Sequence, residues 1–76
     1  MAKKSRGMKE VLLKWKVIFT QDGKDVQEIE KWFPHGVSQE AYILYRVYQD
    51  AQYDGYTVEK HDGYRVEYMN ESKIAE

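Results

Sequence analysis

Cysteine is absent from this sequence, and proline occurs once, at Pro34. Without cysteine there is no disulfide to staple the fold, no thiolate metal site and no cysteine nucleophile. Imidazole is scarce: His35 and His61 are the two histidines, so a four-ligand zinc site would have to borrow carboxylates. No apolar run approaches the ~20 residues of a membrane-spanning helix. Residues 1–7 lack the apolar stretch of a secretion signal. A protein of the reducing cytoplasm, free of membrane, is the expectation. Glycine-rich phosphate loops, paired catalytic carboxylates and metal-binding spacings are also missing. No cofactor or metal is expected, and no enzymatic activity.

What is present is aromatic and charged. The 76 residues are 42% hydrophobic and 14% aromatic, too apolar for a disordered chain and short enough for one small domain. The formal net charge of −1 conceals a split. Residues 1–9 hold Lys3, Lys4, Arg6 and Lys9 with no acid, whereas residues 10–76 hold 8 basic and 13 acidic side chains, a net of −5. A cationic tail therefore precedes an acidic body, an asymmetry that bears on partners. Three segments are expected: a flexible basic tail at 1–9, a single α+β domain at 10–70 and a mobile C-terminus at 71–76.

Residues 11–20 are rich in β-branched and aromatic side chains and read as a strand. Residues 25–33 read as a second strand, stopped by Pro34. The Asp22-Gly23 pair between them signals a hairpin. A two-residue turn would oppose Lys14 to Lys31. A three-residue loop with left-handed Gly23 instead pairs Lys14 with Glu30, Lys16 with Glu28, Trp15 with Ile29, Ile18 with Val26 and Leu12 with Trp32. Favourable cross-strand pairs select the three-residue loop. The same reasoning over 56–69 predicts a second hairpin through His61-Asp62-Gly63, pairing Val58 with Val66, Tyr56 with Tyr68 and Glu59 with Arg65.

Between the hairpins, residues 39–53 carry a helical pattern. Ser38 is the expected N-cap, Val37 and Tyr42 a hydrophobic staple, and Gly55 the C-terminal stop. Ala41, Ile43, Leu44, Val47, Tyr48 and Ala51 fall on the half of the wheel that would face a sheet. The order ββαββ predicts an α+β fold: a four-stranded antiparallel sheet, order 2-1-3-4, with one helix packed on one face. Val11, Leu13, Trp15, Val17, Phe19, Ile29 and Phe33 would face that helix.

Candidate chemistry is thin. Asp54-Gly-Tyr-Thr-Val-Glu59 and Asp62-Gly-Tyr-Arg-Val-Glu67 echo each other, but each is ordinary turn and strand patterning. A catalytic role for His35 or His61 needs an orienting carboxylate and a nucleophile in reach, and surface loop histidines are the better account. The informative surface is the outward half of the helix, with Tyr42, Tyr45 and Tyr53 beside Arg46, Gln49 and Asp50. Tyrosine and arginine dominate protein-interface hot spots. Leu12 and Trp32 form a second candidate patch on the outer face of the first hairpin, for a partner, a homodimer or cover by Ile74-Ala75. A small binding or regulatory protein is the expected function, an inhibitor or adaptor that occludes a basic surface of a nucleic-acid-handling protein partner through Tyr42, Tyr45, Arg46, Gln49, Tyr53, Leu12 and Trp32. The alternative is a small nucleic-acid-binding regulator using Lys3, Lys4, Arg6 and Lys9. The acidic body and the mixed polar strand face (Thr57, Glu59, Arg65, Glu67) weigh against it.

Overall fold

A computed structural model describes residues 9–75. Its elements are β1 (Glu10–Gln21), β2 (Lys24–Pro34), α1 (Glu40–Asp54) and β3 (Gly63–Ala75). The strands form one antiparallel sheet in the order β2-β1-β3, so β1 is central. The helix connects two strands that run parallel to each other on either side of β1. The chain is a small single α+β domain.

Four strands were expected, and three are found among the described residues. Residues 56–60 form no strand. The segment read as the fourth strand instead lies along the free side of β1, with Trp15 opposite Tyr68, Val17 opposite Val66 and Phe19 opposite Tyr64. A local hairpin over 56–69 would have paired only a few residues. Pairing with β1 engages strand backbone from Gly63 to Ala75 and sets three apolar or aromatic pairs side by side. It also draws in the segment expected to be a mobile end: Ser72, Lys73, Ile74 and Ala75 pair with Leu13, Leu12, Val11 and Glu10. Residues 56–59 are held by a side chain. The Glu59 N–H donates to Gln27 Oε1 at 2.7 Å, and Gln27 Nε2 donates to the Thr57 carbonyl at 2.9 Å. Gln27 thus supplies the donor and acceptor that a strand neighbour would have offered.

The expected hairpin loop at His61-Asp62-Gly63 becomes a junction. Asp62 N–H donates to the Thr20 carbonyl at 2.9 Å, and the Asp62 carboxylate accepts the Asp22 N–H at 3.1 Å. Glycine is needed at 63 for closeness rather than for a turn, since a Cβ there would lie 2.9 Å from Thr20 Oγ1.

The first hairpin also differs from expectation. Gln21 opposes Lys24, and the turn is the two-residue Asp22-Gly23 with φ of 54° and 79°. Paired positive φ values belong to the type I′ turn, whose twist matches the strands it joins. A bulge between Phe19 and Thr20 then shifts the register, so Val17 opposes Ile29, Trp15 opposes Lys31 and Leu13 opposes Phe33. The expected partners Trp15–Ile29, Ile18–Val26 and Leu12–Trp32 are each displaced by two residues. A two-residue displacement leaves every side chain on its own face. The ion pairs therefore survive as diagonals, Lys14–Glu30 at 2.9 Å and Lys16–Glu28 at 3.5 Å.

Val17, Phe19 and Phe33 meet Ile43 and Val47 of α1 to form the core, with Trp15, Ile29, Val37, Leu44, Val58 and Val66 packed around them. Ile43, Val47 and Ala51 are spaced by four, the buried stripe of α1. Gly55 ends the helix as expected, at φ 78° with its N–H on the Ala51 carbonyl. Ser38 does not cap it. The N-cap is Gln39, whose carbonyl accepts the Ile43 N–H and whose side chain makes no cap bond.

Ile18 is fully buried on the other face of the sheet, away from the helix. Its cross-strand neighbours are Glu28 and Arg65, side chains of the kind that lay aliphatic stems on apolar surface while their heads reach water. Arg65 grips Asp25 with two bonds of 2.9 and 3.0 Å and donates from Nε to Glu67 at 2.9 Å. That grip, a hydrogen-bonded guanidinium, holds the Asp25 carboxyl below the usual aspartate range. Lys14 does the same for Glu30.

Two outcomes are expected. Replacing Gln27 with alanine should abolish hydrogen-exchange protection at the Glu59 amide and leave the β1 core amides protected. Because Asp25 titrates lower in the folded chain than in the unfolded one, its contribution to stability is present above the ordinary aspartate pKa and lost as pH falls through the depressed one. Thermal melts should therefore decline below about pH 4, and Arg65→Met should flatten that decline.

Candidate functional site

The outward side of α1 carries two rows at helical spacing. Tyr42, Arg46 and Asp50 form the first row, and it is internally bonded. Arg46 Nη1 donates to the Tyr42 hydroxyl at 3.0 Å, and its guanidinium lies 5.9 Å from the centre of the Tyr42 ring. Arg46 Nη2 stands 3.8 Å from Asp50, which also pairs with Lys31 of β2. The hydrogen bond to Tyr42 is the main cause that raises the Arg46 pKa above its ordinary value. Arg46 Nε is enclosed without a hydrogen-bond partner.

Tyr45, Gln49 and Tyr53 form the second row, which makes no such bonds among the described residues. Tyr45 is 59% exposed and Tyr53 91%, against 40% for Tyr42. The two rows converge on an open hollow of about 460 Å³ lined by Arg46, Gln49, Asp50, Gln52 and Tyr53. Five of the seven expected partner-binding residues thus lie together on α1. The first row sets a hydrogen-bonded, charge-compensated margin, and the second presents phenol rings and an amide to solvent.

Leu12 and Trp32 do not join them, because they occupy the opposite face of the sheet from the helix. They are not a bare patch either. Lys73 Nζ stands 4.5 Å over the Trp32 ring and Lys14 Nζ at 5.5 Å, while Leu12 pairs with Lys73 in the ladder. The end of β3 covers this patch, but through Lys73 rather than Ile74-Ala75: Ile74 pairs with Val11 and is half exposed.

One cluster escaped sequence reasoning. Tyr48, placed on the inward half of the wheel, sends its hydroxyl to His61 Nε2 at 2.7 Å. His61 Nδ1 lies 2.8 Å from the Glu59 carbonyl. A carbonyl accepts only, so Nδ1 carries a proton, and in the neutral imidazole Nε2 is left to accept from Tyr48. The imidazole rests on Phe19, ring centres 4.3 Å apart. Burial raises the Tyr48 pKa. His61 thus props the loop after α1 against the core, a role that adjacency to Asp62 in sequence could not signal. His35 belongs to the other end of the sheet, its N–H bonded to the Val11 carbonyl. The two histidines sit beside opposite ends of β1, about 27 Å apart along a strand rising ~3.4 Å per residue, and share no site.

Of the nucleic-acid candidates, Lys3, Lys4 and Arg6 lie outside the described residues. Lys9 is exposed at the rim of a second open hollow, about 340 Å³, with Glu10, Val11, Pro34, His35 and Gly36. Lys14, Lys16 and Arg46 are each engaged by carboxylates. Among the described residues no group of three or more His, Asp or Glu is arranged to hold a metal, and no helix is long and apolar enough to cross a membrane. Comparison with known proteins gives no match to any protein family, curated protein or solved structure.

If the second row is free surface, Tyr45→Ala and Tyr53→Ala should each change unfolding free energy by less than about 0.5 kcal/mol in urea titrations. Arg46→Ala, which removes the anchor of the first row, should lower the unfolding free energy in the same assay.

Proposed function

We propose that this chain is a small non-enzymatic binding protein that acts by protein–protein interaction through the tyrosine face of α1. The observation that carries the reading is the row Tyr45, Gln49, Tyr53: large amphipathic rings left in solvent beside an open hollow, on a domain whose core is complete without them. Tyrosine loses little conformational freedom when docked and offers both an apolar ring and a hydroxyl. Its enrichment at interface hot spots follows from that.

Charge supports a basic partner. The nearest cations on or beside the face, Lys31 and Arg46, are both engaged by Asp50. Glu40 and Asp54 add negative charge at the two ends of the helix, and residues 10–76 carry a net of −5. Electrostatic complementarity of this kind chiefly speeds encounter and excludes wrong partners. Basic surfaces of nucleic-acid-handling proteins have the matching sign, and occluding one would make this chain an inhibitor or adaptor. The lack of cysteine fits work in the reducing cytoplasm.

The test is retention of partners by the tagged full chain from nuclease-treated lysate. A stoichiometric protein partner should remain, and the double variant Tyr45→Ala, Tyr53→Ala should reduce its retention at least tenfold with an unchanged melting temperature. Retention that disappears on nuclease treatment would instead support binding of nucleic acid by Lys3, Lys4, Arg6 and Lys9, and the protein-binding reading would be withdrawn.

A further inference from the structure

Among the described residues no strand lies on the outer edge of β3, and that edge has a symmetry of its own. From Gly63 to Met69 the strand is regular. The register with β1 then slips between Leu13 and Trp15, opposite Asn70, which has φ 58°. The regular stretch has Val66 at its middle, and about Val66 the sequence reads Tyr64-Arg65-Val66-Glu67-Tyr68. This is a palindrome in side-chain type with the charge inverted across its centre. Arg65 and Glu67 lie on the face away from α1, with Ile18 and Lys16. Tyr64 and Tyr68 lie on the α1 face and are 45% and 40% exposed.

We propose that this edge binds a second copy of the same chain, strand against strand and antiparallel, about a two-fold axis through Val66. Antiparallel pairing about that residue opposes Val66 to Val66, Arg65 to Glu67 of the second copy, and Tyr64 to Tyr68 of the second copy. Each oppositely charged pair and each aromatic pair then occurs twice. Residues directly opposite in such a ladder share a face, so both helices fall on one side of a six-stranded sheet ordered β2-β1-β3-β3-β1-β2. The free N–H and C=O groups of the edge are paired by the same step.

Three features favour a second copy over an unrelated strand. The complementarity is of the segment with itself, which an isologous contact requires. The palindrome is centred on the regular stretch, so the bulge at Asn70 interrupts none of its pairs. The opposite edge does not repeat the device: pairing β2 about its midpoint Ile29 would set Glu28 against Glu30 of the second copy, like against like. One edge self-pairs and the other does not, so association stops at the dimer. The tyrosine row of α1 takes no part, which keeps this inference independent of the proposed function.

Charge reversal tests it on the full chain. Sedimentation velocity over a concentration series should show wild type passing from monomer to dimer. Glu67→Arg sets Arg65 against arginine, and Arg65→Glu sets glutamate against Glu67. Either variant alone should weaken dimerisation about tenfold or more. An equimolar mixture of the two restores both opposed pairs and should form a heterodimer. Glu67→Arg keeps the Arg65–Asp25 pair, so its melting temperature separates lost association from lost folding. As a second readout in a chain without cysteine, Val66→Cys should give a disulfide-linked dimer on mild oxidation, and Lys73→Cys should not. A wild type that stays monomeric up to millimolar concentration would overturn the proposal. So would a dimer indifferent to both reversals, or a mixture that fails to associate although the Arg65→Glu variant, which loses its own bonds to Asp25 and Glu67, still melts cooperatively.

Discussion

Val17, Ile18 and Phe19 are consecutive, and all three are buried. Successive side chains of a strand point to opposite faces, so this stretch must be covered from both sides as well as paired along both edges. Only a central strand meets that demand. The helix covers Val17 and Phe19 through Ile43 and Val47. Among the described residues no helix lies on the Ile18 face, where the cross-strand neighbours of Ile18 are Glu28 and Arg65. Arg65 is held beside this isoleucine by its bonds to Asp25 and Glu67. Each exposed pair is worth little by itself, but together they fix where the Arg65 side chain lies.

The same constraint explains why β3 abandons its local hairpin. A strand buried on both faces and paired on one edge leaves unsatisfied backbone groups on the other. Any extended segment within reach gains most by filling that edge. Tyr64, Val66 and Tyr68 sit at the spacing that places them beside Phe19, Val17 and Trp15. Residues 56–60 lose the competition and take their backbone partners from Gln27. The proposed binding surface follows from this arrangement. With β3 against β1, the residues on the inner side of α1 have a sheet to pack on, and Tyr45, Gln49 and Tyr53 are left outward, uncovered by the other described residues.

Much of the fold was legible in residue patterns. The two strands of the first hairpin, the helix and its glycine stop, and the face on which each β1 residue lies all follow from local periodicity. The tyrosine face was legible for the same reason, because 3.6 residues per turn decides which helix residues share a side. The register was not. Positive φ at both Asp22 and Gly23 and the bulge beside Thr20 act together, and neither shows in a count of cross-strand pairs. Ser38 looked like a cap, yet Gln39 occupies the position. The Tyr48–His61 bond joins residues 13 apart through a loop whose path depends on where β3 begins.

What the sequence determined by itself is what depends on near neighbours: strand, helix, turn and facing, and the exclusions that follow from missing cysteine and scarce histidine. The tertiary structure decided which strand lies beside which and what covers the two ends of β1. It also split the expected binding residues, keeping the helix set together and placing Leu12 and Trp32 on the far face under Lys73 and Lys14. Periodicity is a property of a few consecutive residues, whereas strand partnership is a competition among all segments for one open edge. Local pattern carries no record of that competition, because its outcome rests on the summed pairing of residues some fifty positions apart, as Val17 is from Val66.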